Sequence, residues 1–126
     1  MNHCIILIGS NVEPYMSLKA TLQALLVIDP ALCALPEALT PAAGDNEKSP
    51  YMNQLVSLKT VLSATELTEQ FKALEGALGR TPAHKAQGIV LIDIDLVYFN
   101  DELLKPFEAT LPYVQEGMKK ILLRLT

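Results

Sequence analysis

The chain has 126 residues, half of them apolar, which is enough material for one domain with one hydrophobic core. Its net charge of -4 argues against a general nucleic-acid binder and against a protein that docks on anionic membranes. No apolar run reaches the roughly 18 residues of a membrane span, the chain begins without the features of a secretory signal, and cysteines are few, so we expect a cytoplasmic protein.

A buried strand and an amphipathic helix are predicted at the start of the chain. Residues 4–8 read Cys-Ile-Ile-Leu-Ile, a short apolar run that ends in the turn sequence Gly-Ser-Asn at 9–11. Pro14 suits the first turn of a helix, which Asp29 and the following proline bring to an end. One apolar stripe is expected on this helix, formed by Leu18, Leu22, Leu25 and Leu26.

The middle of the chain predicts an edge strand, a long loop, a second strand and a second helix. Residues 31–39 are apolar but contain a proline, which suits an edge strand, and residues 40–50 form the longest loop. Residues 51–60 alternate as a strand does. Ser63 and Glu66 then form a capping box that opens a helix. The buried face of this helix is expected to consist of Leu67, Phe71, Leu74 and Leu78. Gly79 is expected to cap its C-terminus.

A loop at residues 80–88, a strong strand at 89–99 and a helix at 113–125 complete the chain. The order β-α-β-β-α-β with a C-terminal helix predicts an α+β, ferredoxin-like fold, in which one antiparallel sheet carries its helices on one face. We expect residues 1–126 to form a single domain.

Two aspartates on the last strand are the strongest chemical signal. Alternation places Asp93 and Asp95 on one strand face, about 7 Å apart at the backbone. The opposite face is expected to be core and consists of Ile92, Ile94, Leu96 and Tyr98. Two such carboxylates repel each other, and burial raises their pKa values, so a cation should compensate. Magnesium shared with a polyphosphate suits this pair, and a solvated strand face is the alternative.

Six short motifs follow one another along the chain in a recognisable order and spacing. They are Ile8-Gly9-Ser10-Asn11, Thr40-Pro41, Tyr51-Met52-Asn53, Leu74-Glu75, Gly79-Arg80 and Ile92-Asp93-Ile94-Asp95-Leu96. Taken together, these motifs resemble the 6-hydroxymethyl-7,8-dihydropterin pyrophosphokinase family, over residues 6–123. That family transfers a pyrophosphoryl group from ATP to the hydroxymethyl oxygen of a reduced pterin and releases AMP.

The resemblance implies roles for individual residues. Asp93 and Asp95 would hold two Mg²⁺ ions that bridge the ATP phosphates, and with Arg80 they would form the catalytic set. Glu75, Arg80 and Thr110 would contact ATP. The pterin site would be formed by Gly9, Thr40, Pro41, Tyr51 and Asn53, with Tyr51 stacking on the ring and Asn53 bonding to its edge. The implied partners are therefore ATP and a reduced pterin.

The chain also departs from the family pattern in its phosphate-binding part. Val90 stands where the family has a catalytic arginine, Gln87 where it has a tryptophan, and Tyr113 where it has a histidine. Ile121 stands where the family has an aromatic residue over the pterin, and Lys85 is a candidate replacement cation. These departures predict slow transfer. They leave open a non-catalytic pterin- or nucleotide-binding relative, and an assembly domain without a ligand.

Overall fold

The computed structural model describes residues 1–40, 51–87 and 89–125, and within them it has six strands and five helices. The elements are β1 (Asn2–Ser10), α1 (Pro14–Ile28), β2 (Cys33–Ala34), β3 (Ala38–Thr40), β4 (Tyr51–Thr60), α2 (Ala64–Ala77), α3 (Pro82–Ala86), β5 (Asp93–Phe99), β6 (Glu102–Leu103), α4 (Pro106–Thr110) and α5 (Pro112–Leu125). No helix in these ranges is both long and apolar enough to cross a membrane. Of the loop predicted at residues 40–50, Thr40 instead ends β3, and residues 41–50 lie outside the described residues.

All six strands belong to one antiparallel sheet with the order β2-β4-β1-β5-β6, and β3 also pairs with β4. The predicted α+β class and ferredoxin-like arrangement are confirmed. The predicted edge strand is present as two short pieces, β2 and β3, which flank Pro36. Strand β1 lies between β4 and β5, and every residue from Cys4 to Ser10 is buried. A strand covered on both faces has no polar side, which explains why its sequence is a continuous apolar run.

Helices cover both faces of the sheet, so the expectation of helices on one face is wrong. One core cluster joins α1 and α2 to residues such as Ile6 and Ile8 of β1. A second cluster on the opposite face joins α5 to the alternate residues of β1 and to Leu55 of β4. Gly117 permits this close approach, because a Cβ atom there would lie 2.7 Å from Leu55 Cδ2.

The two predicted amphipathic helices are present, with one change on the first. Leu18 and Leu25 of α1 are buried, but Leu26 is 41% exposed, and the fully buried Thr21 takes a place on the core face. The hydroxyl of Thr21 donates to the Ser17 carbonyl at 2.8 Å, which satisfies its hydrogen-bonding need inside the core.

On α2, the capping box between Ser63 and Glu66 is confirmed, and Leu67 and Phe71 are buried. Leu74 and Leu78 pack at the edge of the same cluster. Gly79 follows the helix with a φ of 101°, the left-handed conformation that favours glycine. The chain therefore turns sharply there and delivers Arg80 to the sheet.

Strand β5 ends at Phe99 as predicted, but it differs from its prediction at its start and in its internal register. It begins at Asp93 rather than at residue 89, because Val90 pairs with Asn11 instead: Asn11 N donates to Val90 O at 2.9 Å, and Val90 N donates to Asn11 Oδ1 at 2.7 Å. Near the other end Val97 is an extra residue, since Ile5 pairs with Tyr98 and the next residue of β1 pairs with Leu96. This β-bulge turns Tyr98 to the α5 side of the sheet, so its predicted place beside Leu96 is wrong.

The short helices α3 and α4 were not predicted, since residues 80–88 were assigned to a loop and residues 106–110 to no element. Each begins with a proline at its first position. Helix α4 and the first residues of α5 cover one side of a cleft that opens at the end of the sheet.

Candidate active site

A cleft of about 610 Å³ opens at the end of the sheet where β1 finishes and β5 begins. Its floor comes from β1, β4 and β5, and α4 and the start of α5 form one wall. The predicted site residues that line it are Gly9, Tyr51, Asn53, Arg80, Asp93 and Asp95. Residues that the sequence motifs spread over more than eighty positions are thus brought to one surface.

Gly9 lies at the centre of the cleft floor. It pairs with Asn53 of β4 on one side and with Asp93 of β5 on the other. Neighbouring strands are about 4.8 Å apart, so the backbones at Asn53 and Asp93 are separated by about 10 Å. An amide that can bind a heterocycle and a carboxylate that can bind a metal therefore face one cleft from opposite sides of a glycine.

The absence of a side chain at Gly9 is required by its neighbour. A Cβ atom at Gly9 would lie 2.8 Å from Asn53 Oδ1, closer than such contacts normally are. Any larger residue would displace the Asn53 amide from its present place.

Arg80 connects the end of α2 to the first aspartate. Its Nη1 donates to Asp93 Oδ1 at 3.0 Å and to the Ile92 carbonyl at 3.2 Å, and it lies 3.1 Å from Glu75 Oε2. Glu75 Oε2 also accepts a hydrogen bond from Ile94 N at 2.8 Å. Burial raises the pKa of the Glu75 carboxyl, and the Ile94 hydrogen bond and the Arg80 charge act in the opposite direction. Glu75 thereby fixes both Arg80 and the start of β5.

Asp95 is the more enclosed aspartate, with 17% of its side chain exposed against 42% for Asp93. Burial, followed by the negative charge of Asp93, raises the pKa of Asp95 to about 7. Lys105 lies 3.8 Å from Asp95 Oδ1 and acts in the opposite direction. The expectation that burial raises the pKa in this pair is confirmed for Asp95, and Lys105, which was not foreseen, offsets only part of the rise.

The aspartate pair fits magnesium that is shared with a substrate. Within the described ranges, no group of three or more His, Cys, Asp or Glu side chains could hold a metal ion. Mg²⁺ commonly takes only one or two carboxylates and completes its shell with water and substrate phosphates. Asp93 and Asp95 supply that number, and Arg80 and Lys105 already hold positive charge against them. A metal here would therefore depend on a phosphate-bearing partner.

A second, smaller cleft of about 270 Å³ lies on the α2 side of the same aspartates. Asp93, Asp95 and Arg80 line both clefts, so the carboxylate pair stands at their junction. The larger cleft is mostly apolar, whereas the smaller one is rich in charge. This division suits a heterocycle in the first and phosphate groups in the second.

The sequence model of the 7,8-dihydro-6-hydroxymethylpterin-pyrophosphokinase family, HPPK, matches residues 5–123. The chain belongs to the HPPK family. This confirms the resemblance found in the motifs, and it supports a pyrophosphokinase role in folate biosynthesis, a transferase activity.

Four further positions of the HPPK pattern are Thr40, Pro41, Thr110 and Ile121. Thr40 ends β3 and pairs with Tyr51, whereas Pro41 lies outside the described residues. Thr110 is exposed at the end of α4, where its hydroxyl donates to the Phe107 carbonyl at 2.7 Å, and it lines neither cleft. Ile121 is buried in the α5 core cluster, so it does not offer the pterin contact implied by its place in the HPPK pattern.

The larger cleft is also lined by residues that differ from the HPPK pattern or were not foreseen in it, among them Tyr113 and Phe107. Tyr113 replaces the family histidine, and its hydroxyl accepts from Leu55 N at 3.2 Å and donates to the Pro36 carbonyl at 3.1 Å. It therefore fastens α5 to the sheet edge between β2 and β3. Phe107 of α4 was missed, although it lines the cleft and is 65% exposed. Pro106 before it was the available signal for a helix start.

Proposed function

We propose that this HPPK protein transfers a pyrophosphoryl group from Mg-ATP to the hydroxymethyl oxygen of 6-hydroxymethyl-7,8-dihydropterin. The hydroxyl oxygen attacks the β-phosphorus, the bond from the β-phosphorus to the oxygen bridging it to the α-phosphate breaks, and AMP leaves while the hydroxyl gives up its proton. The observation that carries the proposal is the row Asn53–Gly9–Asp93, which brings the residues proposed for the acceptor and for the metal into one cleft.

At the acceptor end, Tyr51 stacks on the pterin ring and Asn53 bonds to its polar edge. The two residues share one face of β4, as a platform and its anchor should, and both line the mostly apolar cleft. An asparagine amide offers both a donor and an acceptor, which matches the alternating groups of a pterin edge. Gly9 keeps that amide in place, and Thr40 with Pro41 completes the pterin edge.

At the donor end, Asp93 and Asp95 hold two Mg²⁺ ions together with the ATP phosphates. Bound there, magnesium neutralises phosphate charge and favours attack at phosphorus. Arg80 faces the same phosphates, and Glu75 positions Arg80 through their 3.1 Å contact. Thr110 remains a proposed ATP contact that depends on nucleotide reaching the exposed end of α4.

We expect this transfer to be slow. Val90 lines the larger cleft at the position where the family pattern has an arginine, and it brings no charge to the phosphates. Glu108 lines the same cleft and adds negative charge. These two residues also favour the alternative function, a pterin- or nucleotide-binding protein without transfer activity.

One assay separates the two functions. Purified protein is incubated with Mg-ATP and 6-hydroxymethyl-7,8-dihydropterin, and both AMP and pyrophosphorylated pterin are measured. Transfer predicts equal amounts of the two products and none with a 6-methyl-7,8-dihydropterin control, which lacks the attacking hydroxyl. Pterin binding by calorimetry without AMP release would establish the non-catalytic alternative, and no binding of either substrate would exclude both.

A further inference from the structure

The smaller cleft carries balanced charge around the aspartate pair. Its carboxylates are Glu75, Asp93 and Asp95, and its cationic side chains are Lys72, Arg80 and Lys105. Arg80 pairs with two of the carboxylates, which leaves Lys105 as the cation against the third, Asp95, at 3.8 Å. Each aspartate of the pair thus faces a different side-chain cation.

Lys105 is held beside the aspartates by its backbone. Leu104 N donates to the Val97 carbonyl at 2.8 Å, and Lys105 N makes a longer contact of 3.4 Å with the same oxygen. Val97 is the extra residue of the β-bulge, two positions beyond Asp95. The bulge therefore fixes the start of α4 next to the metal site, while the long side chain of Lys105 remains free to turn.

We propose that Lys105 is an exchangeable cation of the donor site, which pairs with Asp95 in the metal-free protein and binds a phosphate oxygen of Mg-nucleotide once magnesium takes Asp95. This inference rests on the proposed function, since it assigns a residue within the same donor site. The sequence pointed instead to Lys85 as a replacement cation, and the side chain of Lys85 lies outside the part of the chain that the structure describes.

The exchange follows from charge. A divalent ion on Asp95 and an ammonium within 4 Å of the same carboxylate repel each other strongly, so the ammonium is displaced. Two magnesium ions and the triphosphate of ATP carry nearly equal and opposite charge. The displaced ammonium of Lys105 can then bind an oxygen of one of the phosphates. A lysine suits this task, because its ammonium is a compact charge on a flexible stem.

A purely structural ion pair explains the arrangement less well. The side chain of Lys105 is 49% exposed and its contact with Asp95 is long. Ion pairs of this kind contribute little to stability. On the other wall of the junction, Glu108 faces the larger cleft and discourages phosphate there, so phosphate is directed towards Lys105 and Lys72.

The test measures two binding constants for each variant by calorimetry. One is the affinity for Mn²⁺ alone, and the other is the affinity for magnesium with α,β-methylene-ATP, which cannot undergo transfer. The variants are Lys105→Met, which keeps length and removes charge, and Lys105→Arg, which keeps charge. Lys119→Met is the matched control, because Lys119 also faces a carboxylate, Glu116 at 3.4 Å, but lies on α5 away from both clefts.

Lys105→Met should weaken nucleotide binding about tenfold while strengthening Mn²⁺ binding, because one charged contact is lost and a competing cation is removed. Lys105→Arg should restore most of the nucleotide affinity, and Lys119→Met should change neither constant. Unchanged nucleotide affinity in Lys105→Met overturns the inference and leaves the proposed function standing. A parallel loss of both affinities also overturns it, since that is the signature of a damaged site. Failure of the unmodified protein to bind Mg-nucleotide removes the proposed function itself, and the inference with it.

Discussion

Gly9 and Asn53 lie directly opposite each other on β1 and β4, and a methyl group on Gly9 would come within 2.8 Å of Asn53 Oδ1. The side-chain amide of Asn53 can therefore keep its position in the cleft only because Gly9, on the neighbouring strand, has no side chain larger than hydrogen. This link turns a glycine in a strand, which normally weakens pairing, into part of the proposed acceptor site.

Gly9→Ala should weaken pterin binding about tenfold or more, because the new methyl group displaces the Asn53 amide and leaves the polar pterin edge poorly bonded. Asn53→Ala should cause a similar loss, and the double variant should lose little more than either single one, since both act on one contact. The measurement is pterin affinity by calorimetry.

Gly76→Ala is the control for this series. Nothing lies within 4 Å of a Cβ atom at Gly76, which is on α2, so the change should leave pterin affinity intact and stabilise the protein by about 0.5–1 kcal/mol. Unchanged pterin affinity in both Gly9→Ala and Asn53→Ala would show that the acceptor site lies elsewhere.

Replacing Asp93 or Asp95 by alanine should weaken Mg-ATP binding at least about tenfold, or 1.4 kcal/mol, because each removes a proposed metal ligand. Neither change should unfold the domain, since each relieves repulsion within the pair. Calorimetry at saturating magnesium gives the affinity, and urea unfolding gives the stability. If both variants bound Mg-ATP as tightly as the unmodified protein does, the metal assignment would be wrong.

The stability of the metal-free protein should depend on Asp95 in a defined pH window. Its pKa of about 7 in the fold lies above the ordinary value of 3.8, so between about pH 4 and pH 7 the folded state binds more protons than the unfolded state. Stability due to this group is therefore greatest at low pH and is lost as the pH rises towards 7.

Asp95→Asn removes this dependence. At pH 8 with a chelator it should raise the free energy of unfolding by about 1–2 kcal/mol, a figure reduced for screening by water, and at pH 4 it should have little effect. Urea unfolding at both pH values checks this, with Asp101→Asn in the exposed turn after β5 as the control. An equal effect at pH 4 and pH 8 would be evidence against a raised pKa.

Local sequence signals predicted the main elements of the fold well. The capping box of Ser63 and Glu66, the terminating Gly79 and the alternation of β4 are all local patterns, and each is present. The sheet class followed from element order. Local signals could not predict which face of the sheet α5 covers. Strand β1 is apolar on both sides, so it has no polar face against which a helix would not pack.

The errors in the site arise from long-range pairing. Val90 lies outside β5 and bonds to Asn11, about eighty residues earlier. Tyr98 faces the α5 side of the sheet because of a β-bulge, and the position of that bulge depends on how β5 pairs with β1. Lys105 and Phe107 reach the clefts only because α4 packs beside β5, and a five-residue helix leaves little periodicity to detect. Strand alternation alone put Asp93 and Asp95 on one strand face, and both line the larger cleft; Asn53 was assigned only through the family resemblance.

Val90→Arg should accelerate pyrophosphoryl transfer. Such transfer depends on positioning and on cations that meet the charge developing in the transition state. Val90 lines the larger cleft beside Arg80 and Asp93, and its backbone is fixed by two hydrogen bonds to Asn11, so a long side chain there would start from a defined place. Losing one such contact typically costs about 10²–10³ in rate, so we expect a gain of at least about tenfold in turnover.

The comparison uses saturating magnesium, ATP and pterin, and measures AMP release per protein molecule for the unmodified chain, Val90→Arg and Val90→Met. The methionine variant fills similar space without charge, so a gain in both variants would indicate packing rather than a phosphate contact. Unmodified turnover of about 1 per second or more, within the ordinary range for enzymes, would contradict the prediction of slow transfer. Lys105 would then be the first residue to test as the replacement cation, because it is already within 3.8 Å of Asp95. Absence of turnover in all three proteins, with binding of both substrates retained, would instead favour the non-catalytic function.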